Sequence, residues 1–388
     1  MVRRWCLGSI LNDPLYRQRR VVNSPQGVEI KVDGVDYLSF NSNDYLGLAN
    51  HPSVASAFIS GVNKWGAGSG SAHLVSGHSE AHHALEEELA EFVGYPSALL
   101  FSSGYMANLA IQQALLGRGD RVVQDRLNHA SLLDGTKLAG AKLLRYQHCD
   151  VEALKRRISV EQDGKTLVAT DGVFSMDGDI APLTAISQLC NNLKSTMLLV
   201  DDAHGIGVLG SGGRGTVDSF GFGVQEVPIL MGTLGKAFGV AGAFVAGSDD
   251  LIESLIQQAR TYIYTTATPS AQAEALRKSL QLLQGECGEE RRERLHQLIS
   301  RFRIGAENLA LNLLPSTTPI QPLLVGSAES ALAFSACLRE QGIMVAAIRP
   351  PTVPQGESRL RITISANHTN DHIDQLLEAL SLCVKMNG

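Results

Sequence analysis

Two short segments carry the side chains best suited to covalent chemistry. The first, Met197-Leu-Leu-Val-Asp201-Asp202-Ala-His204-Gly205, runs an apolar stretch straight into two acids and an imidazole. Open parallel sheets bind ligands beyond the carboxyl ends of their strands, so Asp201 and His204 stand where chemistry is expected. The second, Met231-Gly-Thr233-Leu-Gly-Lys236-Ala-Phe-Gly239, sets one lysine among small residues after another apolar run. Glycines admit a ligand close to the backbone, and a lysine in tight apolar surroundings loses proton affinity and becomes a nucleophilic amine. Taken singly, both segments have plainer readings: an Asp and a His that cap a helix or close a turn, and a solvated lysine in a surface loop.

Three competing motifs are weaker. A nucleotide phosphate loop ending at Lys236 would need Gly where Leu230 stands and Ser or Thr where Ala237 stands. Gly205-Ile-Gly-Val-Leu-Gly210 is a literal G-x-G-x-x-G with Glu226 downstream, the mark of a nicotinamide-dependent oxidoreductase, but Ser211-Gly-Gly-Arg-Gly215 follows it. Interior glycines each cost a helix about 1 kcal/mol, so the helix that should receive a pyrophosphate has poor support there. His73, His78, His82 and His83 invite a metal, yet Glu86 to Glu88 and Glu91 place this stretch on the exposed face of a charged helix, and no metal is expected.

The elements that must position these groups alternate. Helical spacing over Glu80 to Phe92 precedes a short strand at Ala98 to Phe101, a helix through Asn108 to Leu116 and a strand at Arg121 to Gln124. Further apolar runs lie near Leu143, Leu167 to Thr170, Met197 to Val200 and Ile229 to Met231. Continuous apolar strands are buried on both faces, which predicts a mostly parallel sheet covered by helices. After about Leu280 a long charged helix, Glu289 to Leu309, ends before a proline-rich stretch, and helices at Ala328 to Gln341 and His372 to Val384 alternate with short strands. The division expected is an N-terminal segment, 1–45, with a hairpin around Val28 to Phe40 and packed on the small domain; a large domain, 46–280; and a small α+β domain, 281–388.

Composition narrows the partners. With 388 residues, 44% hydrophobic and 19% charged, the chain can bury a large core. A net charge of −6 argues against a nucleic-acid footprint, which gathers Lys and Arg on one face. No stretch approaches the roughly 20 apolar residues of a membrane helix. The six cysteines are widely spaced with no C-x-x-C pair, which suits free thiols in the cytoplasm.

Together the D-x-x-H after a strand, the T-x-G-K some thirty residues on and an upstream Ser-Gly-aromatic loop resemble the α-oxoamine synthases, fold-type I pyridoxal-phosphate enzymes. The likeness runs nearly end to end, through Asn41-Ser-Asn-Asp-Tyr-Leu-Gly-Leu48, His83-Ala-Leu-Glu-Glu-Glu-Leu89, Phe101-Ser-Ser-Gly-Tyr105, Asp125-Arg-Leu-Asn-His-Ala-Ser-Leu132 and Gly172-Val-Phe-Ser-Met-Asp-Gly178. Ala347-Ile-Arg-Pro-Pro-Thr-Val-Pro354 and Ser358-Arg-Leu-Arg-Ile-Thr363 are most similar to the branch that condenses L-alanine with a pimeloyl thioester in biotin synthesis. A branch using glycine or serine with another acyl-CoA is the alternative.

The resemblance implies an α/β fold with a large seven-stranded, mostly parallel sheet and a smaller C-terminal α+β domain. It implies pyridoxal 5′-phosphate as a Schiff base on Lys236, with Asp201 beside the pyridine nitrogen, His204 at the phenolic oxygen and Ser175 at the same edge. His129 is implied as the imidazole stacked on the ring, able to meet the substrate carboxylate or acyl oxygen. Backbone N–H groups of Gly104 and Tyr105, together with Thr233, are implied for the phosphate. Thr266, or its neighbour Thr265, is implied to reach the phosphate of a partner subunit, making a homodimer with shared sites. Arg361 is implied for the amino-acid carboxylate, since its fork binds carboxylates bidentately. Arg17 and Thr352 are implied for the acyl substrate, carried by coenzyme A or an acyl carrier protein; for Arg17 an ordinary surface ion pair is a serious rival.

Overall fold

The computed structural model describes residues 19–160 and 163–387. These fall into two compact units. One comprises Leu46–Ser175 and Asp179–Glu293; the other holds the N-terminal residues to Tyr45, Met176–Gly178 and Arg294 onward.

The first unit is built on seven strands: β1 Ser97–Phe101, β2 Arg121–Asp125, β3 Lys142–Tyr146, β4 Thr166–Asp171, β5 Thr196–Asp201, β6 Ile229–Thr233 and β7 Ala243–Gly247. Their order is β1-β7-β6-β5-β4-β2-β3. Every position of β2, β4 and β7 is buried, as expected of strands covered on both faces, although β2 buries Arg121, Gln124 and Asp125 beside its two valines. All pairings are parallel except those of β7, which runs antiparallel to both β1 and β6. That reversal was not anticipated. It arises because the lysine segment after β6 is a tight return, with the Leu234 N–H bonded to Gly242 O at 2.9 Å, too short for a helical crossover.

Below the strand ends, Leu99, Ile111, Leu132, Leu199 and Met231 form one core with β7. Each fully buried side chain of this size contributes roughly 1.5–3 kcal/mol, so the carboxyl ends of β4, β5 and β6 stand on a firmly packed base. Helix α1, Gly104–Leu115, begins four residues before the predicted Asn108, because the Ser103 hydroxyl accepts the Met106 N–H and caps it there. Helix α2, Ala130–Ala139, is capped by the His129 ring.

In the other unit the predicted hairpin is present as Glu29–Val32 paired with Val35–Ser39, extended in parallel by Ile343–Met344. A second sheet joins Ile320–Gly326, Ser358–Thr363 and Ala346–Ile348, with helices Ala328–Glu340 and Asn370–Asn387. The long charged helix runs from Glu286 to Asn308. Cys337 and Cys383, on those two C-terminal helices, form a disulfide with Cα atoms 5.9 Å apart, which corrects the expectation of free thiols; partners 46 residues apart leave no mark in cysteine spacing. Among the described residues no helix is long and apolar enough to cross a membrane.

Candidate active site

The site is assembled from strand ends. Asp201 closes β5, in register with Asp171 of β4 and Met231 of β6. Its Oδ2 accepts from Asn108 Nδ2 at 2.7 Å and its Oδ1 from the Ala203 N–H at 3.1 Å, so both oxygens are oriented by neutral donors. Asp202, one residue on, turns into structure: the Thr216 N–H and hydroxyl both donate to it. Burial pushes the Asp202 carboxyl up to about 7, with the Thr216 hydrogen bonds pulling the other way.

Lys236 lies in the return between β6 and β7, with Nζ 2.7 Å from His204 Nε2. His129 stands at the start of α2, its ring edge-on to that of Tyr105 with centroids 6.5 Å apart. Gly104 and Tyr105 open α1, where the first N–H groups have no intrahelical acceptor and meet the positive end of the helix dipole. Lys236, Asp201, His204, His129, Ser175, Thr233, Gly104 and Tyr105 all line one cavity of about 170 Å³.

Two polar lining residues escaped the sequence reading. Asn108 is wholly buried and donates both to Asp201 and to Ser131 Oγ, at 2.8 Å. Its Oδ1 has no partner among the described residues. Asp171 accepts the His129 N–H at 3.1 Å, and burial, then the field of Asp201, holds its carboxyl well above the usual range. The signal for Asp171 was available, since it ends an apolar strand as Asp201 does; an amide within a helix carries no such signal.

The remaining predicted residues lie elsewhere. Thr266 is exposed and Thr265 half-buried, and both lie outside the cavity lining. Arg361 and Thr352 belong to the second unit. Arg361 sits in Ser358–Thr363, 7% exposed, donating to Thr363 Oγ1 at 2.9 Å and Asn43 Oδ1 at 3.1 Å. Thr352 is exposed in a turn, its N–H on Arg349 O at 3.0 Å. Arg17 lies outside the described residues.

Gly205 to Gly210 leads only into a three-residue turn of 3₁₀ helix, Ser211–Gly213, so no helix stands ready for a dinucleotide pyrophosphate. The histidine-rich stretch is an exposed face only in part: His83, Glu87 and Glu91 are exposed, but His82 is wholly buried, Nδ1 accepting from the Ser79 N–H at 3.2 Å and Nε2 lying 2.8 Å from Thr268 O. His73, His78 and His82 are close enough to share an ion, but both His82 nitrogens are engaged in capping and tethering. Glu86 is largely buried too; it accepts the Leu100 N–H, and burial raises its carboxyl to about 8. Behind the site, His148 bridges Asp125 at 3.0 Å and Asp179 at 2.8 Å. Burial alone would lower that imidazole, but the two acids raise it to about 12.

Comparison with known proteins agrees with this fold. Residues 35–380 match the family of class I and II aminotransferases. An 8-amino-7-oxononanoate synthase from Stutzerimonas stutzeri is 59% identical over 371 residues, covering 95% of this chain and 93% of the relative. One from Methylococcus capsulatus is 58% identical, covering 94% of each. Among solved structures, a serine palmitoyltransferase from S. paucimobilis with a bound PLP–myriocin aldimine superposes with a TM-score of 0.91 at 30% identity, covering 98% of this chain and 95% of that one. An 8-amino-7-oxononanoate synthase from Francisella tularensis gives 0.79 at 36% identity, covering 90% and 98%. The chain belongs to the class I and II aminotransferase family and, within it, to the 8-amino-7-oxononanoate synthases.

Proposed function

We infer that the chain joins L-alanine to a pimeloyl thioester with loss of carbon dioxide, giving 8-amino-7-oxononanoate and the free thiol, a step of biotin biosynthesis, with pyridoxal 5′-phosphate as cofactor. The observation that carries the reading is the single cavity that holds Lys236 against His204 with Asp201 at its wall. The donor set suits the cofactor: an amine for its aldehyde, a carboxylate for its pyridine nitrogen, and the start of α1 with Thr233 for its phosphate. The unpartnered Asn108 Oδ1 shows that the wall retains polar capacity the fold does not use.

When bound, pyridoxal phosphate supplies an electron sink for the pair left on the amino-acid α-carbon. Asp201, oriented by Asn108 and the Ala203 N–H, keeps a proton on the pyridine nitrogen through its negative field. His204 and Ser175 hold the phenolic edge. Lys236 would hold the cofactor's aldehyde carbon and, as a free amine, would take the α-proton of alanine and return a proton to the same carbon. His129 would pack over the ring. Arg361 is assigned to the alanine carboxylate, and Arg17 and Thr352 to the acyl chain, on family likeness. We assign the active form to a homodimer in which Thr266 or Thr265 serves the partner's phosphate; the exposure of Thr266 in the single chain fits that role. Coenzyme A or a carrier protein brings the acyl group.

The test is borohydride treatment of the purified protein followed by peptide mass spectrometry. The cofactor mass should appear on the peptide bearing Lys236, and the violet absorbance should vanish. In assay, alanine with pimeloyl-CoA should release carbon dioxide. An unmodified Lys236 would overturn the cofactor assignment, and turnover with glycine or serine but not alanine would overturn the substrate.

A further inference from the structure

His129 is reached by a buried hydrogen-bond chain whose direction can be read donor by donor. Its Nδ1 receives the backbone N–H of Ser131 at 3.3 Å and lies 2.7 Å from the Ser131 hydroxyl. A backbone N–H only donates, so Nδ1 carries a lone pair and no proton. The Ser131 oxygen accepts from Asn108 Nδ2 at 2.8 Å, which leaves the hydroxyl proton directed to Nδ1. The second Nδ2 proton goes to Asp201 Oδ2 at 2.7 Å. Reversing the amide would set its oxygen against a carboxylate, so the Asp201 charge fixes the orientation of Asn108, and the unpartnered Oδ1 is on the side this orientation requires. Asn108 and Ser131 are wholly buried and Asp201 is 4% exposed, so water cannot substitute for any link. Only His129, at the end of the chain, is exposed.

We propose that Asn108 and Ser131 are positioning residues that lock His129 in the tautomer presenting Nε2–H to the cavity, with the ionised Asp201 setting the direction of the whole chain. The proposal deepens the function inferred above and rests on it for the identity of the acceptor. His129 then donates a hydrogen bond to an anionic or carbonyl oxygen of the substrate, the amino-acid carboxylate or the thioester oxygen, and does not abstract the α-proton. That division leaves proton transfer to Lys236 alone.

Neutron diffraction from crystals of the perdeuterated protein reads the tautomer directly. Deuterium on His129 Nε2, with none on Nδ1 and the Ser131 deuteroxyl aimed at Nδ1, is the expected result; deuterium on Nδ1 overturns the proposal. The companion measurement is steady-state kinetics. Ser131→Ala should lower kcat on the order of ten-fold at unchanged cofactor absorbance, and Ser131→Thr should recover part of the loss by restoring the hydroxyl. Wild-type kcat and KM in Ser131→Ala would refute the positioning role. Absence of the cofactor band in the wild-type protein would instead strike the inferred function, while the neutron result would stand.

Discussion

The wall of the cavity and the surroundings of Arg359 bury charge in different ways. In the first, Asp201 and its neighbour Asp202 are held by amide, hydroxyl and backbone N–H donors. In the second, Arg359 has a side chain 2% exposed, paired with Asp177 and 3.3 Å from Glu357. A charge buried against an opposite charge has its field largely cancelled and serves the fold. One buried against neutral dipoles keeps a field that a ligand can feel, which is what an acid beside a cationic heterocycle must supply. The contrast recurs within Ser358–Thr363, where Arg359 is ion-paired and Arg361, two residues on, donates to the neutral oxygens of Thr363 and Asn43.

Substitutions can break this contrast. Arg359→Met should be the costliest for folding, lowering stability by about 3 kcal/mol in urea titration, because it strands Asp177. The estimate sits at the low end of the buried-pair range because the Glu357 side chain is 54% exposed and can rehydrate. Arg361→Met should spare stability by comparison and raise KM for alanine. Asp201→Asn should invert the pattern: kcat falls on the order of 10²–10³-fold, while the urea midpoint moves little, since an amide oxygen can still accept from Asn108. A stability loss in Asp201→Asn equal to that in Arg359→Met would erase the distinction.

A dependence on pH sharpens the same point. Glu86 is raised from 4.5 to about 8 by burial, so the folded state favours its neutral form. The stability from this group is complete below pH 4.5 and is lost as pH climbs through about 8. Glu86→Gln keeps an acceptor for the Leu100 N–H and should flatten that part of the stability–pH curve. An unchanged slope would mean the carboxyl is ionised and hydrated.

How much was legible in the sequence follows from how local each signal is. Lys236 and Asp201 stood out because an apolar strand followed by glycine or acid is a one-dimensional pattern with a direct structural meaning. The parallel sheet was legible for the same reason, through its continuous apolar runs. Asn108 was not, because its importance lies in two partners, Ser131 and Asp201, that are distant in the chain. His82 and Glu86 were misjudged because flanking glutamates imitate a solvated face, while the folded helix turns those two side chains inward. The Cys337–Cys383 bond and the reversal of β7 are facts of three-dimensional proximity.

That reversal constrains the reactive amine. Lys236 rides on a hairpin-like bend, not a crossover, and within it Gly239 has φ +70° and approaches so closely that an added Cβ would meet Ala49 N at 2.4 Å. A bend braced this way has a fixed residue count. One residue inserted between Lys236 and Ala243 would either rotate β7 by a full face or throw the amine out of line with His204. Sequence drift can therefore reshape the surface helices freely, while the length of this bend is the ruler against which the reacting atoms are placed.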